Sequence, residues 1–140
     1  IAHFNVLEHI KEDKEEIYNC LNKINQNGYL VILVPAHNKL YSNLDKDVGH
    51  YRRYDKSRLR ELCKKSGFRI ISIHYADSLG FFITMFWKLF NKFNQKSLPS
   101  KNFLIIYDNF IFPISRVLDN FGFKYLLGKN IVLVAKKVKS

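Results

Sequence analysis

Several features that mark common protein classes are absent from this 140-residue sequence. It has only two cysteines, Cys20 and Cys63, which excludes a disulfide-dense secreted scaffold and offers no metal-binding spacing. The longest nearly uncharged apolar run, residues 79–87, is much shorter than the roughly 20 residues that a membrane-spanning helix needs. No signal peptide is evident. A cytoplasmic protein is therefore the default expectation.

Acidic residues are also scarce. Twelve Asp and Glu stand against 23 Lys and Arg, which gives a net charge of +11. This excess predicts attraction to an anionic partner: a phosphate-bearing substrate, nucleic acid or an acidic membrane face. Nucleic acid is the least favoured of these, because the aromatic residues follow helical stripes and no RNA-binding strand motif occurs. Apolar residues make up 47% of the chain, which indicates one folded domain rather than disorder.

Hydrophobic periodicity predicts four strands. Short apolar runs at residues 29–34, 68–76 and 131–135 indicate buried strands, and residues 1–4 resemble the end of another. The run at 29–34 is continuous, as in strands covered on both faces. Regular alternation along 68–76 would place Ile73 and Tyr75 on the face opposite Phe68 and Ile70.

Two amphipathic helices are predicted between these strands. The first spans about residues 6–27, and the second runs from Asp55 or Ser57 to about Ser66. The apolar stripe of the first helix consists of Val6, Ile10, Ile17, Leu21 and Ile24. Strands that alternate with helices indicate an α/β layered fold.

Two segments stand apart from this alternation. Residues 36–54 are polar, aromatic and basic without a clean period, which predicts a long loop of the kind that is usually functional. Residues 78–128 contain ten of the twelve phenylalanines in apolar helical stripes, with a kink expected at Pro113. This aromatic insertion is expected to form a helical cap, a lipid or membrane contact, or a dimer interface.

Four short motifs occur in order along the chain: NVLEHI at residues 5–10, NGYL at 27–30, VPAH at 34–37 and GHYRRY at 49–54. Together with RLRELCKKSGF at 58–68 and the closing KNIVLVAK, they resemble class I S-adenosylmethionine-dependent methyltransferases of the small-molecule type. The resemblance covers nearly the whole chain.

This resemblance implies the C-terminal half of a Rossmann-like methyltransferase sheet, in three α/β/α layers with the aromatic insertion. Residues 1–140 would form a partial domain. The first strands and the glycine-rich cofactor motif of the family are absent, since no two of the six glycines lie close enough to form that turn. The chain is expected to supply the acceptor-side half of an enzyme that methylates a small-molecule or lipid-linked acceptor, and to be inactive alone.

The resemblance also implies roles for individual residues. Asn5, Val6, Glu8 and His9 would border the cofactor S-adenosylmethionine. The loop would line the acceptor pocket, with His50 as a general base on a hydroxyl acceptor. The acceptor-binding residues would be Pro35, His37, Tyr41, Tyr51, Arg52 and Arg53.

A metal site is a minor alternative at the same place. Glu8, His9 and His50 resemble part of a Glu-x-x-Glu-His pattern with a later His that holds a divalent metal in some methyltransferases. Asn5 stands where that pattern has its first acid, which weakens a site for a hard cation.

Two other function classes remain open. The chain could be a noncatalytic module that docks on a partner or a membrane through the aromatic insertion, or a basic nucleic-acid-binding module. Its oligomeric state is not indicated by the sequence.

Overall fold

A computed structural model describes residues 1–90 and 99–138. Its four strands are β1 (Ala2–Phe4), β2 (Tyr29–Pro35), β3 (Phe68–Ala76) and β4 (Asn130–Lys137), close to the predicted bounds. They form one sheet in the order β1-β2-β4-β3. β1 pairs in parallel with β2, whereas β4 lies antiparallel to both of its neighbours. The strands β1, β2 and β3 therefore run in one direction, and their C-terminal ends lie at the same edge.

Three helices come from the first half of the chain: α1 (Asp13–Lys23), α2 (Asn43–Asp47) and α3 (Lys56–Lys65). The prediction that the first helix starts near residue 6 is wrong. Val6 is exposed, and Leu7–His9 form a separate 3-10 turn. The reason is Arg52, whose guanidinium donates to the backbone oxygens of Ile10 and Lys11 at 3.1 and 2.7 Å. In one helix running from residue 6, these two oxygens would accept from the N–H groups of Lys14 and Glu15, so Arg52 takes acceptors that a continuous helix would use.

The hydrophobic core lies on one face of the sheet. Leu30, Ile32 and Val34 of β2 pair with Ala135, Leu133 and Ile131 of β4, and all six side chains are buried. The helices α1 and α3 cover this face with buried apolar side chains. Those side chains are Ile17, Cys20, Leu59, Leu62 and Cys63.

The opposite face of the sheet is only partly covered by the described residues. Val31 and Leu33 are half-buried, and Phe4, which is paired with Leu33, is 59% exposed. The expectation that β2 is buried on both faces is therefore not met. The continuous apolar run of β2 could not reveal this, because α1 and α3 both pack against the same side.

A β-bulge in β3 changes the predicted face assignment. The pairing with β4 shifts between Ile70 and Ser72, so that Ile71 is the extra residue and is 49% exposed. As a result, Ile73 and Tyr75 pack against the core together with Phe68 and Ile70. The prediction that they lie on the opposite face is wrong, since one inserted residue reverses a period of two.

The described residues between β3 and β4 are mostly helical. The helix α4 (Ser78–Phe90) is followed by α5 (Lys101–Ile106), α6 (Phe112–Leu118) and α7 (Lys124–Leu126), with π-helical turns at Tyr107–Ile111 and Asp119–Phe123. Pro113, where a kink is expected, lies in the first turn of α6 directly after the first π-helical turn, and the backbone just before it, at Ile111 and Phe112, stays helical. No described helix has the length and apolar character required to cross a membrane.

The sharp break comes at Gly122 instead, where φ is 105°. Nothing lies within 4 Å of the position that a Cβ would take there, so the glycine is required by its backbone conformation and not by space.

Buried polar contacts attach these helices to the end of β3. The carboxylate of Asp119 accepts hydrogen bonds from the backbone N–H groups of Asp77 and Ser78, at 2.7 and 3.3 Å. The hydroxyl of Ser115 accepts one from the N–H of Leu79 at 3.0 Å, and the hydroxyl of Tyr107 donates to Asp77. These groups satisfy the backbone where β3 turns into α4.

Candidate active site

The chain leaves β1, β2 and β3 in the same way. The residues that follow these strands, Asn5, His37 and Asp77, have φ angles of 52°, 61° and 62°. Left-handed backbone is uncommon for non-glycine residues, and it concentrates at functional sites. In open α/β sheets ligands bind beyond the C-terminal ends of the strands. This edge is therefore where a site is expected.

Glu8 lies at this edge, in the 3-10 turn that follows β1. Its side chain is fully buried, and neither carboxylate oxygen has a hydrogen-bond partner among the described residues. Burial raises the pKa of Glu8 above its ordinary value, although its own backbone amide and His50 act in the opposite direction. An unpartnered buried carboxylate is costly, so it is a candidate for a functional role.

The loop after β2 folds over this turn and brings His50 to Glu8. The N–H of Tyr51 donates to the backbone oxygen of Glu8 at 2.8 Å. His50 Nε2 then lies 3.9 Å from Glu8 Oε1, too far for a direct hydrogen bond.

A second carboxylate holds the other side of the His50 ring. Asp45 Oδ1 lies 3.0 Å from His50 Nδ1 and 2.8 Å from Arg53 Nε. Asp45 is buried, which by itself raises its pKa, but the hydrogen bonds and charges of Arg53 and His50 outweigh burial and lower it. Asp45 is therefore a stable anion beside the imidazole.

Arg53, Asp45, His50 and Glu8 thus form a chain of polar side chains. With Asp45 as an acceptor, the proton of a neutral His50 sits on Nδ1 and the lone pair of Nε2 points away from Asp45. The 3.9 Å gap to Glu8 then lies next to a nitrogen that can accept a proton. This is the arrangement of a general base with an orienting acid.

His9 completes the cluster. Its Nδ1 lies 3.1 Å from the backbone oxygen of Gly49, and its ring packs edge-on against His50 with centroids 4.7 Å apart. One ligand atom from each of Glu8, His9 and His50 lies within 4.8 Å of the others. The three side chains of the minor metal hypothesis are therefore together, and a carboxylate with free oxygens beside two imidazoles fits a divalent transition metal.

Asn5 and Val6, the other two residues predicted to border the cofactor, are exposed, unlike the buried Glu8. The backbone N–H of Asn5 donates to Leu33. That the side chains of Asn5 and Val6 contact the cofactor stays a prediction.

Four of the residues predicted to bind the acceptor, Pro35, His37, Tyr41 and Tyr51, differ in exposure and in hydrogen bonding. The hydroxyl of Tyr41 donates to the backbone oxygen of His50 at 2.6 Å and so helps to hold the loop at His50, whereas Tyr51 is 56% exposed. Pro35 is buried at the end of β2. His37 bonds through Nε2 to the oxygen of Gly128 and stacks on Tyr75, and burial lowers its pKa. His37 therefore links the end of β2 to the residues that lead into β4.

The two arginines are engaged inside the protein. Arg52 pairs with Asp13 at 2.9 Å besides its two backbone contacts, and Arg53 is buried against Asp45 and the backbone oxygen of Ala36. These contacts stabilise the conformation of the loop. The predicted contact of the two arginines with an acceptor anion gains no support from these partners.

Sequence reasoning missed Asp45 and the helix that carries it. Residues 36–54 were expected to be an irregular loop, but Asn43–Asp47 form α2, which starts with a capping box between Ser42 and Asp45. The available signal was Ser42-x-x-Asp45, the spacing of such a box. The same carboxylate thus caps a helix with one oxygen and holds His50 and Arg53 with the other.

No protein-family model matches the sequence, and no curated protein does either. Solved structures do share the fold. The chain matches a Haloferax volcanii protein, assigned as a methyltransferase and bound to the Trm112 methyltransferase activator, with a TM-score of 0.58 and 9% identity. The match covers 99% of this chain and 53% of the other.

Two further matches have the same character. A SAM-dependent methyltransferase from Archaeoglobus fulgidus gives a TM-score of 0.54 at 17% identity, over 97% of this chain and 57% of the other. The phosphoethanolamine N-methyltransferase 2 of Haemonchus contortus, solved with phosphomonomethylethanolamine and S-adenosylhomocysteine, gives 0.50 at 16% identity, over 99% and 33%. At these identities the structural matches show a shared Rossmann-like methyltransferase fold and no more, and the chain spans 53%, 57% and 33% of the three matched chains.

Proposed function

We propose that this chain forms the acceptor-side half of an S-adenosylmethionine-dependent methyltransferase that acts on a small-molecule acceptor. The observation that carries the proposal is the Arg53–Asp45–His50–Glu8 arrangement at the ends of β1 and β2, in a fold shared with methyltransferases. The partly open face of the sheet supports the half-domain role, because it offers apolar surface for further helices of the same domain.

The buried carboxylate of Glu8 fits a cationic group of the cofactor. An oxygen pair without hydrogen-bond partners, at the strand ends where ligands bind, suits the amino or sulfonium group of S-adenosylmethionine. Asn5, Val6 and His9 would contribute from the same turn. When bound, the cofactor supplies a methyl group on a sulfonium, which an acceptor lone pair attacks in line.

In the proposed mechanism His50 accepts the proton that a hydroxyl or ammonium acceptor loses. Asp45 keeps the Nδ1 proton in place and stabilises the imidazolium that forms on Nε2. Arg53 holds Asp45, and Tyr41 holds the His50 backbone, so the base is fixed before the acceptor arrives. The protein thereby contributes positioning and a proton acceptor.

Cofactor binding is the first test. S-adenosylhomocysteine is titrated by calorimetry into this chain and into a version extended upstream to its natural start of translation. We expect heat of binding from the extended version alone. If the unextended chain also binds, the whole cofactor site lies within these 140 residues, which would contradict the half-domain proposal. If neither version binds, only the fold is shared with methyltransferases.

The role of His50 is tested in the extended version with tritium-labelled S-adenosylmethionine and a cell extract as the source of acceptors. His50→Gln should reduce methyl transfer by about 100-fold or more while S-adenosylhomocysteine still binds. His74→Gln is the matched control, since the His74 side chain has one hydrogen bond among the described residues, to the backbone oxygen of Tyr75. Equal activity of both variants would contradict the assignment of the base.

The helices between β3 and β4 indicate which kind of acceptor the enzyme could use. They expose large apolar side chains, including Phe86 at 54%, Phe90 at 71%, Phe110 at 66% and Phe121 at 81%. Lysines 88, 101 and 124 and Arg116 lie on the same helices. Apolar residues with basic neighbours are typical of a surface that docks on anionic lipid. This favours a lipid-linked acceptor, reached from a membrane surface, as the second candidate.

Flotation with vesicles tests this candidate. We expect the protein to float with vesicles that contain phosphatidylglycerol and to stay behind with phosphatidylcholine alone. Phe86→Ser with Phe121→Ser should abolish flotation, whereas Tyr18→Ser, an aromatic of similar exposure on α1, should not. In the labelling assay, tritium should then appear in the lipid fraction of the extract. Label confined to the aqueous fraction would identify a water-soluble acceptor instead.

A further inference from the structure

A second cluster of ligand-type side chains lies at the edge strand, apart from the residues proposed for catalysis. It consists of His3 on β1 and of Glu16 and Cys20 on α1. His3 points to the core side of the sheet, because it pairs with the buried Ile32. Glu16 and Cys20 are four residues apart and therefore share the helix face that packs toward β1.

The three ligand atoms form a compact triangle. His3 Nε2 lies 3.4 Å from Glu16 Oε1 and 3.6 Å from Cys20 Sγ, and Cys20 Sγ lies 3.6 Å from Glu16 Oε1. Each atom thus faces the other two, and the side chains already have the orientation that a shared ligand requires.

This triangle has the dimensions of one face of a zinc tetrahedron. Zinc binds nitrogen and oxygen at about 2.0–2.2 Å and sulfur at about 2.3 Å. With tetrahedral angles, these bonds separate nitrogen from oxygen by about 3.4 Å and sulfur from either by about 3.6 Å. The three observed separations fall at these values.

The cluster is largely buried but can be reached from solvent. His3 is only 8% exposed, and its Nδ1 has no hydrogen-bond partner among the described residues. Cys20 is buried, whereas the Glu16 side chain is 30% exposed and leaves an approach from solvent. Among the described residues the three ligand atoms pair only with one another, so an ion placed between them would displace no other hydrogen-bond partner.

We propose that His3, Glu16 and Cys20 bind a zinc ion that fastens β1 to α1. The donor set of one thiolate, one imidazole and one carboxylate suits zinc and disfavours magnesium and calcium, which prefer oxygen ligands. The Cys20 proton, now directed at Glu16, is released to bulk water past the partly exposed Glu16 side chain as the Sγ–metal bond forms. The fourth position is left for water or for a group outside the described residues.

Cobalt titration tests the proposal with a signal that reports the sulfur ligand. Cobalt(II) replaces zinc in such sites, and a thiolate ligand gives a near-ultraviolet charge-transfer band. We expect this band in the protein extended to its natural start, and we expect one equivalent of zinc to abolish it. Absence of the band would overturn the proposal.

Variants identify the ligands. Cys20→Ser should abolish the band, and Cys63→Ala, which changes the other cysteine of this sequence, should retain it. Glu16→Gln should weaken cobalt binding at least about tenfold, while Glu15→Gln, its exposed neighbour, should not. Glu16 is partly exposed, so its variant should remain folded even if Cys20→Ser does not, and circular dichroism checks this.

One control separates the two clusters. His50→Gln should leave the charge-transfer band unchanged, because Glu8, His9 and His50 contain no sulfur. A band that persists in Cys20→Ser, or that is lost in Cys63→Ala, would place the ion elsewhere and overturn the assignment.

Discussion

The sheet with α1 and α3 and the helices between β3 and β4 use apolar residues in opposite ways. In the first region, apolar side chains converge on one face of the sheet and are buried. In the second region, phenylalanines lie on all sides of the helices, and many of their side chains are exposed. Among the described residues of this region, Tyr107 is the one apolar side chain that is buried. Apolar content is therefore a poor guide to burial in this molecule, and the polar anchor at Asp77 and Asp119 holds the second region in place.

The largest expected contrast comes from shortening one apolar side chain in each region. Leu133→Ala removes a fully buried side chain from the centre of the sheet and should lower the free energy of unfolding by about 2–5 kcal/mol. Phe121→Ala removes a side chain that is 81% exposed and should change it by at most about 0.5 kcal/mol. Urea titration measures both. Similar losses would mean that the helices between β3 and β4 carry a core of their own.

The anchor offers a test of how independent the two regions are. Asp119→Ala leaves the buried N–H groups of Asp77 and Ser78 without an acceptor, which should cost about 1–3 kcal/mol. Hydrogen exchange should then speed up in residues 101–126 while β2 and β4 stay protected. Asp108→Ala, an exposed acid of the same segment, is the control. Faster exchange throughout the sheet would show that the regions unfold as one unit.

The smallest expected effect is a gain in stability at the candidate site. Folding raises the pKa of Glu8 above its ordinary value of 4.5, so the folded state loses stability as the pH rises through the raised pKa. Glu8→Gln removes that loss and should stabilise the protein by about 1 kcal/mol at pH 7. The difference should vanish below pH 4.5, where the carboxyl is protonated in both states. Thermal unfolding at both pH values checks this, and a destabilised variant at pH 7 would show that the carboxylate has a partner.

The strands were predictable because each is a short apolar run between turn residues. Gly28 and Pro35 mark β2, and Gly67 marks the start of β3, so the alternation of elements and the α/β fold followed from local sequence. The bulge at Ile71 could not be predicted, since Ile70 and Ile71 are chemically equivalent and only the pairing with β4 selects the extra residue. The same holds for the start of α1, which depends on Arg52, some forty residues away.

The site was predictable only in outline. The motifs place Glu8, His9 and His50 near the ends of β1 and β2, and the structure brings these three together. The partners of Arg52 and Arg53 could not be foreseen, because a basic loop gives no sign of which charges it will pair with internally. The cysteine spacing gives no sign of a metal site, because the convergence of Cys20 and His3 with Glu16 depends on how α1 packs against β1.

The position of β4 has a consequence for how the protein is made. β4 is the last of the four strands in the chain, yet it lies between β2 and β3 and forms most of the pairing in the sheet. Until β4 has been synthesised, β2 and β3 cannot belong to the same sheet, because β4 is the strand that pairs with both of them. The four-stranded sheet can therefore be completed only once Asn130–Lys137 have been synthesised, and until then β2 and β3 each have an unpaired edge of the kind that favours aggregation.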